Sequence, residues 1–391
     1  MKILHTSDWH LGRMIYGRSL LEDQAYFIDQ VFFPALERHR PDCVILAGDI
    51  FDRQIAPVEA IRLFDSVLSR IHQMGIPLAA ISGNHDGADR IAIGAEMLRQ
   101  SGIYLATHLE DLTRPLRLEK NGERVDLHLL PYCDPATIRQ FLGRDDLQGF
   151  QASYEALLDT VRPTLNPSAF QILVAHCFVA GSQTCDSESA IYVGGSGEVN
   201  LSAFAGFDYV ALGHLHGPQR AGEHGRYSGS PLKYSFDEES HKKSMTLLTI
   251  ENGSLSLELL PIAPLRDVRT ISGTLEELLE LGGKSPQNDY LFVRITNQTP
   301  VYMPAEQLRP YYPNLLAVHC DWLQRNLEEE AREENLREQL IGRKIDQRMV
   351  LEQFLRQICG TEPSPEEEAL FLEVFQRGQS ESEMEEGGQA R

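Results

Sequence analysis

The chain has 391 residues, 42% of them apolar and 24% charged, with a formal net charge of −21. This fits two or three globular domains with at least one substantial core, and the lack of any run of 18 apolar residues excludes a helical membrane span. Such a surplus of acid repels nucleic acid, phosphates and anionic membranes unless local cations reverse the field, and bound metal ions are cations that a residue count omits.

In chain order, the first 260 residues repeat one unit: a short apolar run that ends in a polar cluster. The runs are MKILHTSDWH, DCVILAGDIFD, PLAAISGNHD, QILVAHC and DYVALGHLH. Continuous Val, Ile, Leu and Ala of this length predict strands buried on both faces. Helical spacing over Leu20–Arg38 and Pro57–Met74 lies between them. Together they predict an α/β domain with its polar groups gathered beyond the strand carboxyl ends, where open α/β sheets hold ligands. SMTLLTIENGSLSLELLPI then reads as a hairpin turning at Asn252–Gly253.

After IAPLRD the pattern changes. Thr274 and Glu277 form a capping box that opens the helix LEELLEL, and YLFVRIT and NLLAVHC read as strands. From Asp321 a charged helical stretch leads into two amphipathic helices, the first closed by Gly360 and the second opened by Ser364, Pro365 and Glu367. GQSESEMEEGGQAR at the end is polar, acidic and expected to be disordered. Cys43, Cys133, Cys177, Cys185, Cys320 and Cys359 are scattered without a CxxC, which argues against a disulfide framework and a zinc knuckle. The opening MKILHTSDWH reaches Asp and His too early for a signal peptide, so the chain is expected to be cytoplasmic.

The chemistry lies in the polar clusters: Asp8 and His10; Gly48, Asp49 and Asp52; Gly83, Asn84, His85 and Asp86; His176; and Gly213, His214 and His216. Any one of these is more often a turn, a helix cap or a satisfied core histidine than a ligand. Five strand ends carrying the same inventory of carboxylate, imidazole and amide oxygen are not explained that way. These donors suit manganese, iron or zinc, and seven of them exceed what one tetrahedral ion takes, so two ions are implied. Two ions about 3.5–4 Å apart share a bridging carboxylate and clamp the oxygens of a phosphoryl displacement. The D-x-H and H-x-H spacings fit, since residues i and i+2 of an extended chain point the same way about 7 Å apart.

In this order, D-x-H, GD-x-x-D, GNHD, a later single His and GH-x-H resemble the calcineurin-like metallophosphoesterase superfamily. HTSDWHLGRMIYG, GDIFDR, GNHDGADR, IYVGG and YSGSPLKYSF narrow the resemblance to the SbcD family, nuclease subunits of bacterial SbcCD complexes, over about residues 1–265. The resemblance implies a sandwich of two central β-sheets flanked by helices over 1–265. A small α+β capping, DNA-binding domain would follow over 266–321, then a helical partner-docking segment over 322–376 and an acidic tail over 377–391. It places Asp8, His10, Asp49 and His216 at a first metal and Asp49, Asn84, His176 and His214 at a second, with Asp49 bridging. His85 takes the position of the proton donor to the leaving 3′ oxygen. That role also follows from Asn84 ligating while its neighbour titrates near neutral pH.

Asp86 is a candidate to orient His85 or a ligating histidine, and Asp52 a candidate for a similar supporting role or a helix cap. Arg13, Tyr16, Arg18 and Arg53, just after ligand motifs, are candidate DNA contacts, although each arginine could instead pair with the abundant acid. The implied activity is phosphodiester hydrolysis, with 3′-to-5′ exonuclease action on double-stranded ends and endonuclease action on single-stranded or hairpin DNA. The implied cofactors are two divalent ions, manganese first, with magnesium, iron or zinc as alternatives. The implied partners are DNA, an SbcC-like coiled-coil ATPase docked on the terminal helices, and a second copy of the chain within a heterotetramer.

The run GGKS at Gly282–Ser285 lacks the first glycine of a phosphate-binding loop, because position 278 is Leu278. No ATP binding by this chain is expected. Two rival readings are a metallophosphodiesterase or phosphatase acting on a nucleotide or phosphoprotein, and a non-enzymatic adaptor with a vestigial metal site.

Overall fold

The computed structural model describes residues 1–188, 197–284, 287–322 and Leu370. Met1–Ile295 and Tyr302–His319 form one compact unit, while Thr296–Val301 and Cys320 onward belong to a second. The docking helices and acidic tail expected after residue 322 lie outside the described residues apart from Leu370.

The first unit is built on two six-stranded sheets. One runs in the order Ser254–Pro261, Ser244–Glu251, Lys2–Thr6, Cys43–Ala47, Leu78–Ile81, Ile103–Ala106. The other runs Gln219–Ala221, Gly225–Tyr227, Tyr209–Gly213, Phe170–His176, Glu123–Leu130, Leu116–Lys120. All five apolar runs picked from the sequence are strands, and each is parallel to at least one neighbour. The alternation explains why they look uniformly apolar. Ile3, Ile45 and Ala79 face the second sheet and meet Leu127, Ile172 and Ala211. Leu4, Val44 and Ala80 face outward to helix Val58–Met74 and the segment Leu21–His39. The outer face of the second sheet is covered by helix Gly149–Val161 through Tyr154, Leu157 and Leu158. The result is a helix–sheet–sheet–helix sandwich.

The helix expected over Leu20–Arg38 is not uniform. Its middle turn, Phe27–Phe32, is π-helical, and Phe27 and Phe32 pack edge-on against the buried Trp9 at 5.6 and 5.1 Å between ring centres. Wide turns of this kind recur at functional sites, and here the turn seats the residue between Asp8 and His10.

The expected Asn252–Gly253 turn has both residues left-handed, at φ 52° and 72°, as a two-residue hairpin requires. The capping box is also present: Glu277 N–H donates to Thr274 Oγ1 at 3.3 Å and Thr274 N–H to Glu277 Oε2 at 2.8 Å. Beyond residue 266 a three-stranded sheet runs Val268–Gly273, Tyr290–Ile295, Leu315–Cys320. Its first strand does not stand out in the sequence. Gly282 and Gly283 of the GGKS run lie in the last turn of helix Leu275–Lys284, whereas a phosphate-binding loop precedes its helix. A Cβ on Gly282 would come within 2.7 Å of Tyr311 Cβ, so close packing accounts for that glycine.

Candidate metal centre

Strand order brings the five clusters together at one end of the sandwich. Lys2–Thr6, Cys43–Ala47 and Leu78–Ile81 run parallel and deliver Asp8, Asp49 and Asn84 from one sheet. Phe170–His176 and Tyr209–Gly213, also parallel, deliver His176 and His214 from the other. The loops are stitched to each other, with Asp8 N–H donating to Gly48 O at 3.0 Å and His10 N–H to Asp49 O at 2.9 Å. From below, the Gln24 amide donates to the carbonyls of Trp9 and His10 and accepts from Gly12 N–H, and Tyr234 Oη–H donates to Trp9 O.

Glycine precedes three of the clusters, and at each of them space demands it: a Cβ on Gly48, itself left-handed at φ 88°, would lie 2.3 Å from His176 Nδ1. A Cβ on Gly83 would lie 2.1 Å from Asp49 Oδ1, and one on Gly213 would lie 1.8 Å from Ala47 O. The sheets therefore approach as closely as backbone permits. Asp8, His10, Asp49 and His214 themselves hold left-handed φ of 53°, 43°, 48° and 105°. Each such non-glycine conformation costs on the order of 1–3 kcal/mol and persists only where the surroundings enforce it.

Two groups of donors result. Asp8, His10 and His216 converge, as do Asp8, Asp49 and His176, each set with ligand atoms within 4.8 Å of one another. His10 Nε2 and His216 Nε2 face each other at 3.1 Å. Asn84 Oδ1 lies 2.9 Å from His176 Nε2 and 3.1 Å from His214 Nδ1. Asp49 Oδ2 stands between the groups, 3.5 Å from His10 Nε2 and 3.4 Å from His176 Nε2. All seven residues expected to ligate metal meet in this one place.

The charges are tightly interdependent. Burial pushes the Asp8 carboxyl up to about 6, against the pull of His176 and His216. Burial works the same way on Asp49, but His176 and His10 overcome it and hold that carboxyl well below the usual range. Burial disfavours the His176 cation, yet Asp49 and Asp8 raise its ring to about 9. His214 is lowered to about 3 by burial and by the His176 charge.

The remaining expected residues divide. His85 lies beside the donors, its ring 4.8 Å from that of His10, with N–H donating to Asp49 Oδ1 and Nδ1 2.9 Å from Asp52 O. Asp86 does not orient an imidazole. Its carboxylate accepts from the backbone N–H groups of Ile50, Phe51 and Gly83 at 2.8–3.0 Å, tying two ligand loops together. Asp52 caps no helix, since helix Val58–Met74 opens on Pro57. It pairs with Arg13 at 2.8 Å and approaches His10 Nδ1 at 3.8 Å. Arg13 is thus turned inward, also donating to Ser187 O. Tyr16 and Arg53 are exposed, and Arg18 reaches Pro313 O.

A supporting network is absent from the sequence reading. Ser187 Oγ lies 2.6 Å from His216 Nδ1 and donates to the fully buried Glu238. Glu238 also accepts from Tyr234 N–H and forms an ion pair with the buried Lys243. Within the acidic run DEES, Glu238 looks like solvated surface, and nothing local marks it otherwise.

Residues 1–218 match the model of the calcineurin-like phosphoesterase family. The chain belongs to that family. Residues 264–358 match a second family model, described as a type 5 capsule protein repressor C-terminal domain. The SbcD subunit of the nuclease SbcCD from Staphylococcus epidermidis is 34% identical over 322 residues, covering 81% of this chain and 85% of the relative.

Calcineurin-like phosphoesterases work with divalent metal ions, and the residues here fit such ions. Asp8 Oδ2 is buried with no hydrogen-bond partner among the described residues, and an unpaired buried carboxylate oxygen is costly unless a cation meets it. His10 Nε2 and His216 Nε2, 3.1 Å apart, stand where both lone pairs can turn to the same ion. Among the described residues no helix is long and apolar enough to cross a membrane.

Proposed function

We propose that the chain is the nuclease subunit of an SbcCD-type complex, hydrolysing DNA phosphodiesters with two divalent metal ions in DNA repair and recombination. The observation that carries this is the meeting of seven donors with His85 at their edge, in a chain that aligns over most of its length with a relative named as that nuclease subunit. Asp8, His10, Asp49 and His216 would hold one ion, and Asp49, Asn84, His176 and His214 the other. Manganese is the first expectation for both. Bound divalent cations supply charge neutralisation at the phosphoryl oxygens.

The protein's own part is positional. Asp86 fixes the spacing of the Asp49 and Asn84 loops. Glu238, through Ser187, orients His216 so that Nε2 faces the site. The Asp52 carbonyl would accept a hydrogen bond from His85 Nδ1–H and so set the ring's orientation, and the protonated imidazole would give its Nε2 proton to the departing 3′ oxygen.

Two partners belong to this proposal. An SbcC-like ATPase would dock on the segment after residue 322 and supply DNA affinity that an acidic chain lacks. A second copy would cover the apolar surface formed by Ile55, Val58, Ile61, Ile93 and Met97, all 49% or more exposed. The test is a manganese-dependent cleavage assay on single-stranded, blunt and hairpin DNA, with and without the ATPase and ATP. Turnover of small phosphate esters at rates comparable to DNA would overturn the reading.

A further inference from the structure

At the end of the sandwich opposite the metal centre, Phe170–His176, Tyr209–Gly213 and Gly225–Tyr227 begin and the Asn252–Gly253 turn closes its hairpin. A cavity of about 700 Å³ opens there. Arg220 and Arg226 line it, and they are directly opposed partners in an antiparallel strand pair. Like charges in opposed positions destabilise such a pair unless a counter-charge meets them.

None does so within the described residues. Arg226 is 7% exposed, and its guanidinium makes one hydrogen bond, from Nε to Thr246 Oγ1 at 3.2 Å. Neither arginine has a carboxylate within ion-pair distance among the described residues, although the chain holds 57 Asp and Glu against 36 Lys and Arg. Asp208 and Glu223 line the same cavity, but Asp208 accepts from Gln171 N–H at 2.7 Å and Glu223 pairs with neither arginine. The positive charge is felt nearby: the buried His5 is pushed down to about 3 by burial and by Arg226.

We propose that this cavity binds a phosphate monoester, its dianionic head held between Arg226 and Arg220 and its body against Phe170, Phe207 and Leu255. Guanidinium forks match phosphate oxygens, and a dianion cancels the pair's two charges. Free phosphate fills only a small part of the space, and the apolar lining gives a ring-bearing ester, such as a mononucleotide, a surface to pack on. The inference is independent of the nuclease reading.

The full-length, metal-loaded protein is to be crystallised with tungstate, a tetrahedral dianion located by anomalous scattering. In parallel it is titrated calorimetrically with inorganic phosphate and with a deoxynucleoside 5′-monophosphate at fixed ionic strength. The expected results are a tungstate peak within hydrogen-bond reach of Arg226 and phosphate binding weakened about tenfold or more by Arg226→Gln. Arg220→Gln, at an exposed side chain without a hydrogen bond among the described residues, keeps the fold and weakens binding severalfold. Tungstate at the metal centre alone, or a phosphate titration unchanged in the Arg220→Gln protein, would overturn the site. Equal affinity for phosphate and monophosphate would overturn the ester assignment.

Discussion

His10 Nε2 and His216 Nε2 lie 3.1 Å apart although their residues are 206 positions apart in sequence. His216 has its other nitrogen engaged by Ser187, while His10 Nδ1 has no hydrogen-bond partner among the described residues. Two imidazole edges aimed at one point, with Asp8 beside them, form a site that fits a cation. His216→Ala is expected to lower bound manganese from two ions to one per chain by elemental analysis. DNA cleavage should fall on the order of 10³-fold, about 4 kcal/mol of transition-state stabilisation. Two ions retained would remove His216 from the ligand set.

His85→Ala separates proton transfer from metal binding. His85 contributes its backbone N–H to Asp49 Oδ1, which alanine preserves. Metal content should therefore stay at the wild-type level while cleavage drops about 10²–10⁴-fold, the range of general-acid contributions. Wild-type cleavage by this variant would end the assignment of His85 as the proton donor.

Glu238 gives the fold a pH dependence. Burial alone would raise its carboxyl, but Lys243 and His216 hold it well below the usual carboxylate range. A depressed folded pKa contributes stability that is fully present above the unfolded value of about 4.3 and is lost as pH falls below it. Thermal melting from pH 7 to pH 3 should show midpoints falling below about pH 4.5 for this reason. Glu238→Gln should flatten that acid limb and, by leaving Lys243 buried without its carboxylate, cost about 3–5 kcal/mol at pH 7. An acid limb unchanged by the substitution would show that Glu238 is not its source.

The candidate DNA contacts differ in kind. Arg13 is committed to Asp52 and Ser187, so Arg13→Ala should lower the melting temperature as well as activity. Arg53, exposed and only loosely paired with Asp52 at 3.6 Å, is free to meet phosphate. Arg53→Ala should leave melting unchanged and reduce the slope of log affinity against log salt by about 1. A salt slope equal to wild type would place Arg53 off the DNA path.

Much of the architecture is legible in the sequence because both faces of five strands are buried, so each appears as an unbroken apolar run closed by its polar cluster. All seven ligand candidates are legible for the same reason. Strand Val268–Gly273 is not, because half-exposed residues and polar side chains interrupt its pattern. Ser187, Glu238 and Lys243 are invisible because their roles exist only across a loop crossing, with Ser187 51 residues from Glu238. Gly83 reads as a bend, but its φ is not left-handed; it is glycine because Asp49 occupies the space of a side chain. Asp86 reads toward imidazole partners, and its backbone partners 35 and 36 residues away cannot be inferred from spacing.

The left-handed backbones of Asp8, His10, Asp49 and His214 have a consequence for how ions arrive. Loops that ordered only around a cation would relax to ordinary torsions without it. The backbone bonds that hold these torsions, Asp8 N–H to Gly48 O and His10 N–H to Asp49 O, use no metal-ligand atom, so the entropy of ordering is met during folding rather than at loading. Uptake then resembles the filling of a rigid mould: amide protons in these loops should exchange at nearly the same slow rates before and after chelation.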